Sequence, residues 1–495
     1  MSKNMACVTR TSPRAIVGRT VAAAGFMLVA LLSSRLPAIA SNTPSRPRIR
    51  LRPVGLHRLI PEGGVVDFHW RSHGLAEQDV AIQVSRDEGT TWAEVGRSPE
   101  ATEGLSWTVA GPLGPATVRA VTSGTATASR PYRIQIVAGV AEICIANQFA
   151  ASRMTDGTVR VWGTLPSDTL YPKYVYRPTE LAGLVEITEV AAGGSHLLAV
   201  RSDGEVLLWG DPDGDANPQP PFDPPYVLSN VHDALFARAY FGTSFVRLTN
   251  GRVLAWGSNT FGSLGDGTNV PRPDPTEIPS LEGVSDIALG HYFGFALRPD
   301  GSVLAWGNNE SGVLADGTTA DNYTPATVAG LTDIVTIAAG FDYALALDRS
   351  GRVFSWGRDH FHQLGRDAPG VEGVPGATSA VPTQIPDLVD VIAIACDVVG
   401  GHAATRDGTL FGWGANAPGM VGDGTYEVRP RPVGTRLSHV SRVYGGITMT
   451  IHAVVSSGYQ YAWGADYSQM VGNGRYGGSR NTPTLVAPWV RRHGT

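Results

Sequence analysis

Short, mostly apolar segments entered through Asp-Gly, Asn-Gly or Ser-Gly recur along this chain, and seven of them end in Trp-Gly. The clearest are Val253-Leu254-Ala255-Trp256-Gly257, entered through Asn250-Gly251, and Val303-Leu304-Ala305-Trp306-Gly307, entered through Asp300-Gly301. A two-residue turn of this chemistry between two strand-like segments predicts a β-hairpin. The pairs begin at Trp162, Trp209, Trp256, Trp306, Trp356, Trp413 and Trp463, with spacings of 47, 47, 50, 50, 57 and 50 residues. A period in this range marks a propeller blade or solenoid repeat, so the pattern predicts a ring of repeated β-units. In such a ring each interface needs one large apolar body, which the Trp supplies. The following Gly lets the chain pass a neighbouring backbone without a Cβ collision.

The residues ahead of the repeats follow a different rhythm. Val65–Trp70, Val80–Val84, Leu105–Val109, Ala116–Val121 and Tyr132–Val137 read as strands separated by Gly, Pro and polar turns, which predicts a small β-sandwich over 54–137. On pattern alone it resembles a fibronectin type III or immunoglobulin-like module. Ser85-Arg86-Asp87-Glu88-Gly89-Thr90-Thr91-Trp92 matches the Asp box hairpin of sialidases. One copy reads as a structural turn, with Asp87 bonding back to nearby amides and Gly89 accepting positive φ. An Arg/Pro-rich linker is expected over 41–53 and a tail over 489–495. At the start, Lys3, Arg10, Arg14 and Arg19 precede an apolar run from Val21 to Leu32, and Ala38-Ile39-Ala40 offers a cleavage pattern. That run is short of the roughly 20 residues a spanning helix needs, so 1–40 reads as an export signal.

The compound repeat, exemplified by Asn250-Gly251 through Trp256-Gly257, Asn259 and Gly262-Ser263-Leu264-Gly265-Asp266-Gly267-Thr268, resembles the regulator of chromosome condensation repeat family. The resemblance implies an all-β, seven-bladed β-propeller of four-stranded blades over 138–488. Residues 155–163 and 202–210, the first two repeats, lack the later Gly-x-Leu-Gly element. The family's Gly-x-x-His pattern is recognisable only as Gly193-Gly194-Ser195-His196, and Gln460 replaces an apolar residue in the seventh repeat. The family's nucleotide-exchange surface therefore does not carry over residue by residue. The chain looks like a bacterial secreted member, and some such members bind and inhibit extracellular enzymes such as β-lactamases.

Composition narrows the function classes. The net charge is −5 with only 39 Lys and Arg, which gives no electrostatic footprint for a nucleic-acid partner. Of three cysteines, Cys7 would leave with the signal, while Cys144 and Cys396 fall on the first strands of non-adjacent repeats and read as buried thiols rather than a disulfide. Motifs for zinc proteases, nucleophile elbows and phosphate loops are missing from the sequence. Asp211-Pro212-Asp213-Gly214-Asp215 alternates carboxylates as calcium loops do, but Ala216 and Phe222 break the pattern. His360-Phe361-His362 reads as an exposed loop. Asp266, Asp316 and Asp423 each precede Gly-Thr, and turn chemistry explains them. No metal, cofactor or catalytic set is expected.

The function expected is a non-enzymatic, exported scaffold, secreted or in the periplasm and cell envelope. It would act as a monomer with no membrane span after signal cleavage, binding an extracellular or envelope protein, with inhibition of an extracellular enzyme included. Phe149, Phe241, Tyr292, Phe293, Phe341, Asp342, Tyr343, Phe261 and Phe361 are the candidate protein-binding residues, because aromatic anchors on loops dominate interfaces. The seven Trp are scaffold. The alternatives are guanine nucleotide exchange, implied by the family resemblance, and a carbohydrate-active hydrolase or carbohydrate-binding protein. A hydrolase calls for a carboxylate cluster in the central channel, whereas the inner strands read as Ala, Gly and Ile with Asp342 and Asp397 the exceptions. Both Tyr132–Val137 and Thr482–Val486 could supply the strand that completes the last blade.

Overall fold

The computed structural model describes residues 48–53, 59–73, 79–99, 104–123, 127–165, 173–210, 224–366, 378–475 and 477–486. The export signal, the 489–495 tail and the Asp211–Asp215 loop lie outside them. From residue 140 onward, the described chain forms seven four-stranded antiparallel sheets. In the third, the strands are Ala234–Tyr240, Thr243–Leu248, Val253–Gly257 and Arg272–Glu277, in that spatial order. The first strands touch their neighbours all the way round, and Val440–Tyr444 of the seventh sheet contacts Val140–Ile145 of the first. These strands line the centre, so the sheets are the blades of a closed seven-bladed propeller. Arg480–Leu485 completes the seventh blade by pairing with Gln460–Gly464. The ring therefore closes by packing of blade 7 on blade 1, without a strand borrowed from the N-terminal side. Arg442 adds to that seam by donating to the carbonyls of Ala141 and, at 2.7 Å, Val140.

The Trp and the Gly-x-Leu-Gly element turn out to be two halves of one contact. The Trp306 indole N–H donates to Ser263 O (2.9 Å), Trp356 to Val313 O (2.6 Å) and Trp413 to Gln363 O (2.9 Å). Trp463 donates to Met420 O and Trp162 to Met470 O, both at 2.6 Å. In each case the acceptor is the residue before the Leu or Val in the preceding blade's loop, so every such bond staples one blade to the next. In four of the five loops a Gly after that Leu or Val leaves room for the ring, Ala315 taking its place in blade 4 with φ 56°: at Gly422, with φ +78, a Cβ would sit 2.7 Å from the Trp463 indole nitrogen. An Asn or Asp holds the loop from within. Asn259 Oδ1 accepts from Leu264 N (2.9 Å) while its Nδ2 donates to the carbonyls of Thr268 and Val270, and Asp359 and Asp466 take the same amide in blades 5 and 7. Trp209 and Trp256 have no such acceptor among the described residues. The blades preceding them are those whose repeats lack the Gly-x-Leu-Gly element.

The described residues between 48 and 137 form two sheets. One holds Arg48–Pro53, Val65–His73 and Gly104–Thr108; the other holds Leu59–Pro61, Tyr132–Val137, Gly114–Thr122, Asp79–Ser85 and Ala93–Pro99. Phe68, Trp70, Ile82, Trp107, Val118 and Ile136 share the core between them. The expected linker is corrected in part: Arg48–Pro53 is an edge strand paired with Val65–His73. Edge strands tolerate the Arg and Pro that made the segment read as a connector. The Asp box is a turn, with Thr91 N–H and Oγ1 donating to the Asp87 carboxylate at 2.8 and 2.6 Å and the Trp92 indole donating to Gly89 O at 2.9 Å.

This two-sheet unit sits on the hairpin turns of blades 7 and 1. Val65 N donates to Ser456 O (2.8 Å), the Tyr459 hydroxyl to Leu59 O (2.7 Å) and Thr155 Oγ1 to Glu62 (2.9 Å). Antiparallel connectivity puts the turns between second and third strands on one face of the disc. The turns between first and second strands, and the loops between third and fourth, lie on the other, which the two-sheet unit leaves open.

Replacing Trp356 by Phe strands the Val313 carbonyl and leaves a void, so Trp356→Phe is expected to cost about 2–4 kcal/mol in denaturant unfolding. Trp256→Phe, which follows a repeat lacking the Gly-x-Leu-Gly element and has no such bond among the described residues, should cost less, and equal losses would show that the indole bond does not hold the blades.

Candidate functional site

The open face carries a contiguous set of aromatic rings contributed by blades 3, 4 and 5. Tyr240 and Phe241 lie at the first turn of blade 3, His291 and Tyr292 at that of blade 4, and Phe341 at that of blade 5, while Phe261 comes from the outer loop of blade 3. Ring centroids are 5.0 Å apart for Tyr240–Phe241, 5.7 Å for Phe241–His291 and 5.5 Å for Phe261–Tyr292. His291 lies 3.9 Å from Tyr292 and stacks on Phe341, also at 3.9 Å. Burial lowers the His291 pKa, so this ring is uncharged at neutral pH. Phe241, Phe261 and Tyr292 have φ of 47°, 55° and 68°. Bulky residues are rare in that region, and such strain clusters at functional sites. Phe361, half exposed at 50%, extends the surface along blade 5, and Tyr467, 77% exposed, stands on the same face in blade 7.

Three candidate residues are corrected. Phe149, Phe293 and Tyr343 are at most 1% exposed and belong to the ring core rather than to the exposed face. Each opens a second strand opposite the Gly of a Trp-Gly pair, namely Gly163, Gly307 and Gly357. Phe341, two residues earlier, lies in the turn before this strand begins, so the pleat that directs Tyr343 into the core does not apply to it. Tyr343 instead donates from its hydroxyl to Gly400 O at 2.5 Å. The same position explains the family's Gly-x-x-His pattern. A Cβ at Gly193, Gly290 or Gly340 would lie 2.0–2.2 Å from the ring three residues on, whether that ring is His196, Phe293 or Tyr343. The pattern thus persists as Gly-x-x-ring where sequence showed only one His.

Asp342 stays on the face but is engaged, 2.8 Å from Arg358 Nε and 3.4 Å from Gln363 Nε2. Burial raises its pKa against the pull of Arg358. Asp266, Asp316 and Asp423 make their turns, each accepting from the Thr two residues on. His360 lies beside Phe361, 6.2 Å between centroids. Among the described residues no three His, Cys, Asp or Glu side chains converge on a metal-sized site. Cys144 and Cys396 are both unbridged.

The inner strands carry more charge than expected from sequence. Glu142, Glu189 and Asp286 project from the first strands of blades 1, 2 and 4, against the expectation of only Asp342 and Asp397. Arg238 bridges two of them, 3.5 Å from Glu189 and 2.7 Å from Asp286, and Arg153 lies 3.4 Å from Glu142. Burial and the nearby Glu189 raise the Glu142 pKa to about 7. Glu142, Glu189, Asp286 and Arg442 occupy one repeat position, a signal that aligning first strands would have exposed. These carboxylates are tied to arginines rather than held apart over an open cleft as an acid–base pair would be.

Against known proteins, the regulator of chromosome condensation (RCC1) repeat matches residues 250–297, 300–347 and 350–397, and a second form of that repeat matches 284–313 and 334–363. The RCC1 domain-containing protein RUG3, mitochondrial, of Arabidopsis thaliana is 30% identical over 125 residues, 23% of this chain and 28% of that protein. The E3 ubiquitin-protein ligase HERC2 of Homo sapiens is 32% identical over 128 residues, 23% of this chain and 3% of that protein. The chain thus matches less than a third of either curated relative's length. Yeast RCC1 (Prp20), solved with Kap60, aligns with TM-score 0.58 at 21% identity, covering 71% of this chain and 84% of that one. Human WBSCR16 aligns at 0.56 with 20% identity, covering 66% and 89%. The chain carries RCC1 repeats on an RCC1-like propeller fold.

The buried ionisable groups set a pH optimum for stability. Burial lowers the pKa of His196 and His402 to about 4 and of His452 to about 3. The unfolded chain binds protons there from about pH 6.5, so the stability these histidines contribute is present above that pH and lost toward 4. Burial raises Asp397 and Glu142 to about 7, so their share is complete near pH 4 and lost as pH rises through 7. Thermal unfolding scanned from pH 4 to 8.5 should give a maximum near pH 6.5, and Asp397→Asn should flatten the alkaline decline. A melting temperature that climbs steadily to pH 8 would contradict this.

Proposed function

We propose that this chain of RCC1 repeats is an exported, non-enzymatic propeller that binds another protein through the open face of blades 3 to 5. The observation carrying the proposal is the run of touching rings Tyr240, Phe241, His291, Tyr292, Phe341 and Phe261 on the face opposite the two-sheet unit. Half-buried aromatics prearranged by packing make interface anchors at little entropic cost. The face is built from turns and loops on a rigid ring, the usual placement of binding residues. Export rests on the leader at 1–40 and places the partner among extracellular or envelope proteins, where blocking an enzyme's access is one consequence of binding. Nucleotide exchange is not favoured, because export separates the chain from cytosolic GTPases.

The test starts from affinity capture out of the native extracellular fluid, followed by titration of the captured partner. Phe261→Ala combined with Phe361→Ala should weaken it by about 2 kcal/mol, roughly thirtyfold, with the melting temperature unchanged. Undiminished affinity in that variant would refute the face, and recovery of the chain inside the cell with its leader attached would refute export.

A further inference from the structure

Within the aromatic face a small cavity opens between blades 3 and 4. Its volume is ≈ 170 Å³, and Tyr240, Phe241, Tyr292 and Phe293 form its aromatic walls, with Ser258 and Ser263 among its polar ones. It is smaller than the roughly 300–1,000 Å³ of a small-molecule pocket and fits one inserted side chain. Tyr240 and Phe241 meet at 70°, so their ring faces do not cover one another and remain available to an occupant. Aromatic faces carry the negative part of the ring quadrupole and attract a cation within about 6 Å.

The charges around the cavity favour the same occupant. None of its lining residues is basic. His291, which packs between Phe341 and Tyr292 beside it, is uncharged because burial lowers its pKa. Glu310 is exposed in the blade 4 loop on the same face. The face's arginines at blades 3 and 5, Arg272 and Arg358, are paired with Asp266 and Asp342. Ser263 Oγ donates to Ser258 O at 3.1 Å, and each serine hydroxyl keeps a lone pair to accept from a bound ammonium or guanidinium.

We infer that this cavity is an aromatic cage that receives a lysine or arginine side chain from the partner protein. The inference rests on the open face being the binding surface, and it adds the chemistry of the anchor. Arginine and lysine reach the cage through their apolar stems, and the charge is met by ring faces and hydroxyl oxygens rather than by a carboxylate in contact.

The experiment uses the full secreted chain and three probes: N-acetyl-lysine methylamide, N-acetyl-arginine methylamide, and N-acetyl-norleucine methylamide as the uncharged isostere. Saturation-transfer NMR titrations should show at least one cationic probe binding roughly three- to thirtyfold more tightly than norleucine, the range expected for a cation over aromatic faces. Tyr292→Leu should abolish the preference with the melting temperature retained. If that variant fails to fold, Phe241→Leu serves the same purpose. Equal binding of charged and neutral probes, preference for norleucine, or no binding of any probe would overturn the cage. None of these results touches the face itself, which stands or falls on whether Phe261 and Phe361 matter to the captured partner.

Discussion

One bond repeated around the disc governs the structure: the indole N–H of a blade's Trp given to a loop carbonyl of the blade before it. Five of the seven blades have this bond among the described residues. It joins the burial of a large ring to the satisfaction of a buried donor, so the contact is directional as well as apolar. The loop accepting it is held by its own Asn or Asp, which fixes the position of the carbonyl. Blades in a propeller have few contacts beyond their neighbours, so a directional interface at each step fixes the angle at which the ring closes.

The same bond bears on the face proposed for binding. The Gly-x-Leu-Gly loops that accept the indoles run between third and fourth strands, on the face that also carries the first turns. Anchoring them on the underside leaves the residues at their tips, Phe261 and Phe361 among them, on a rigid base facing solvent. The two-sheet unit occupies the hairpin turns of blades 7 and 1 on the reverse face, so it does not compete for that surface. Inside the ring, the Glu142, Glu189, Arg238 and Asp286 chain ties the inner strands of blades 1 to 4 and accounts for charges that would otherwise suggest catalysis.

Much of the architecture could be read from sequence because its determinants are large and periodic. An indole every fifty residues or so and an Asp-Gly or Asn-Gly turn before it leave little freedom in fold. The closing strand could not be read, since Tyr132–Val137 and Thr482–Val486 are both short strand-like segments flanking the repeats and only pairing separates them. The aromatic list divided for a similar reason. Phe341 and Tyr343 are two residues apart, yet the turn between strands sends one to the face and the other into the blade 5 and 6 interface. The closeness of Glu142 and Glu189 is not legible locally, because the two residues are 47 positions apart and meet only when blades 1 and 2 pack side by side.

The inter-blade bond can be observed proton by proton. In the chain labelled with indole-15N tryptophan, hydrogen exchange should be slowest at Trp162, Trp306, Trp356, Trp413 and Trp463, with Trp209 and Trp256, which follow repeats lacking the Gly-x-Leu-Gly element, exchanging measurably faster. Seven indistinguishable rates, or greatest protection at Trp209 and Trp256, would contradict the account.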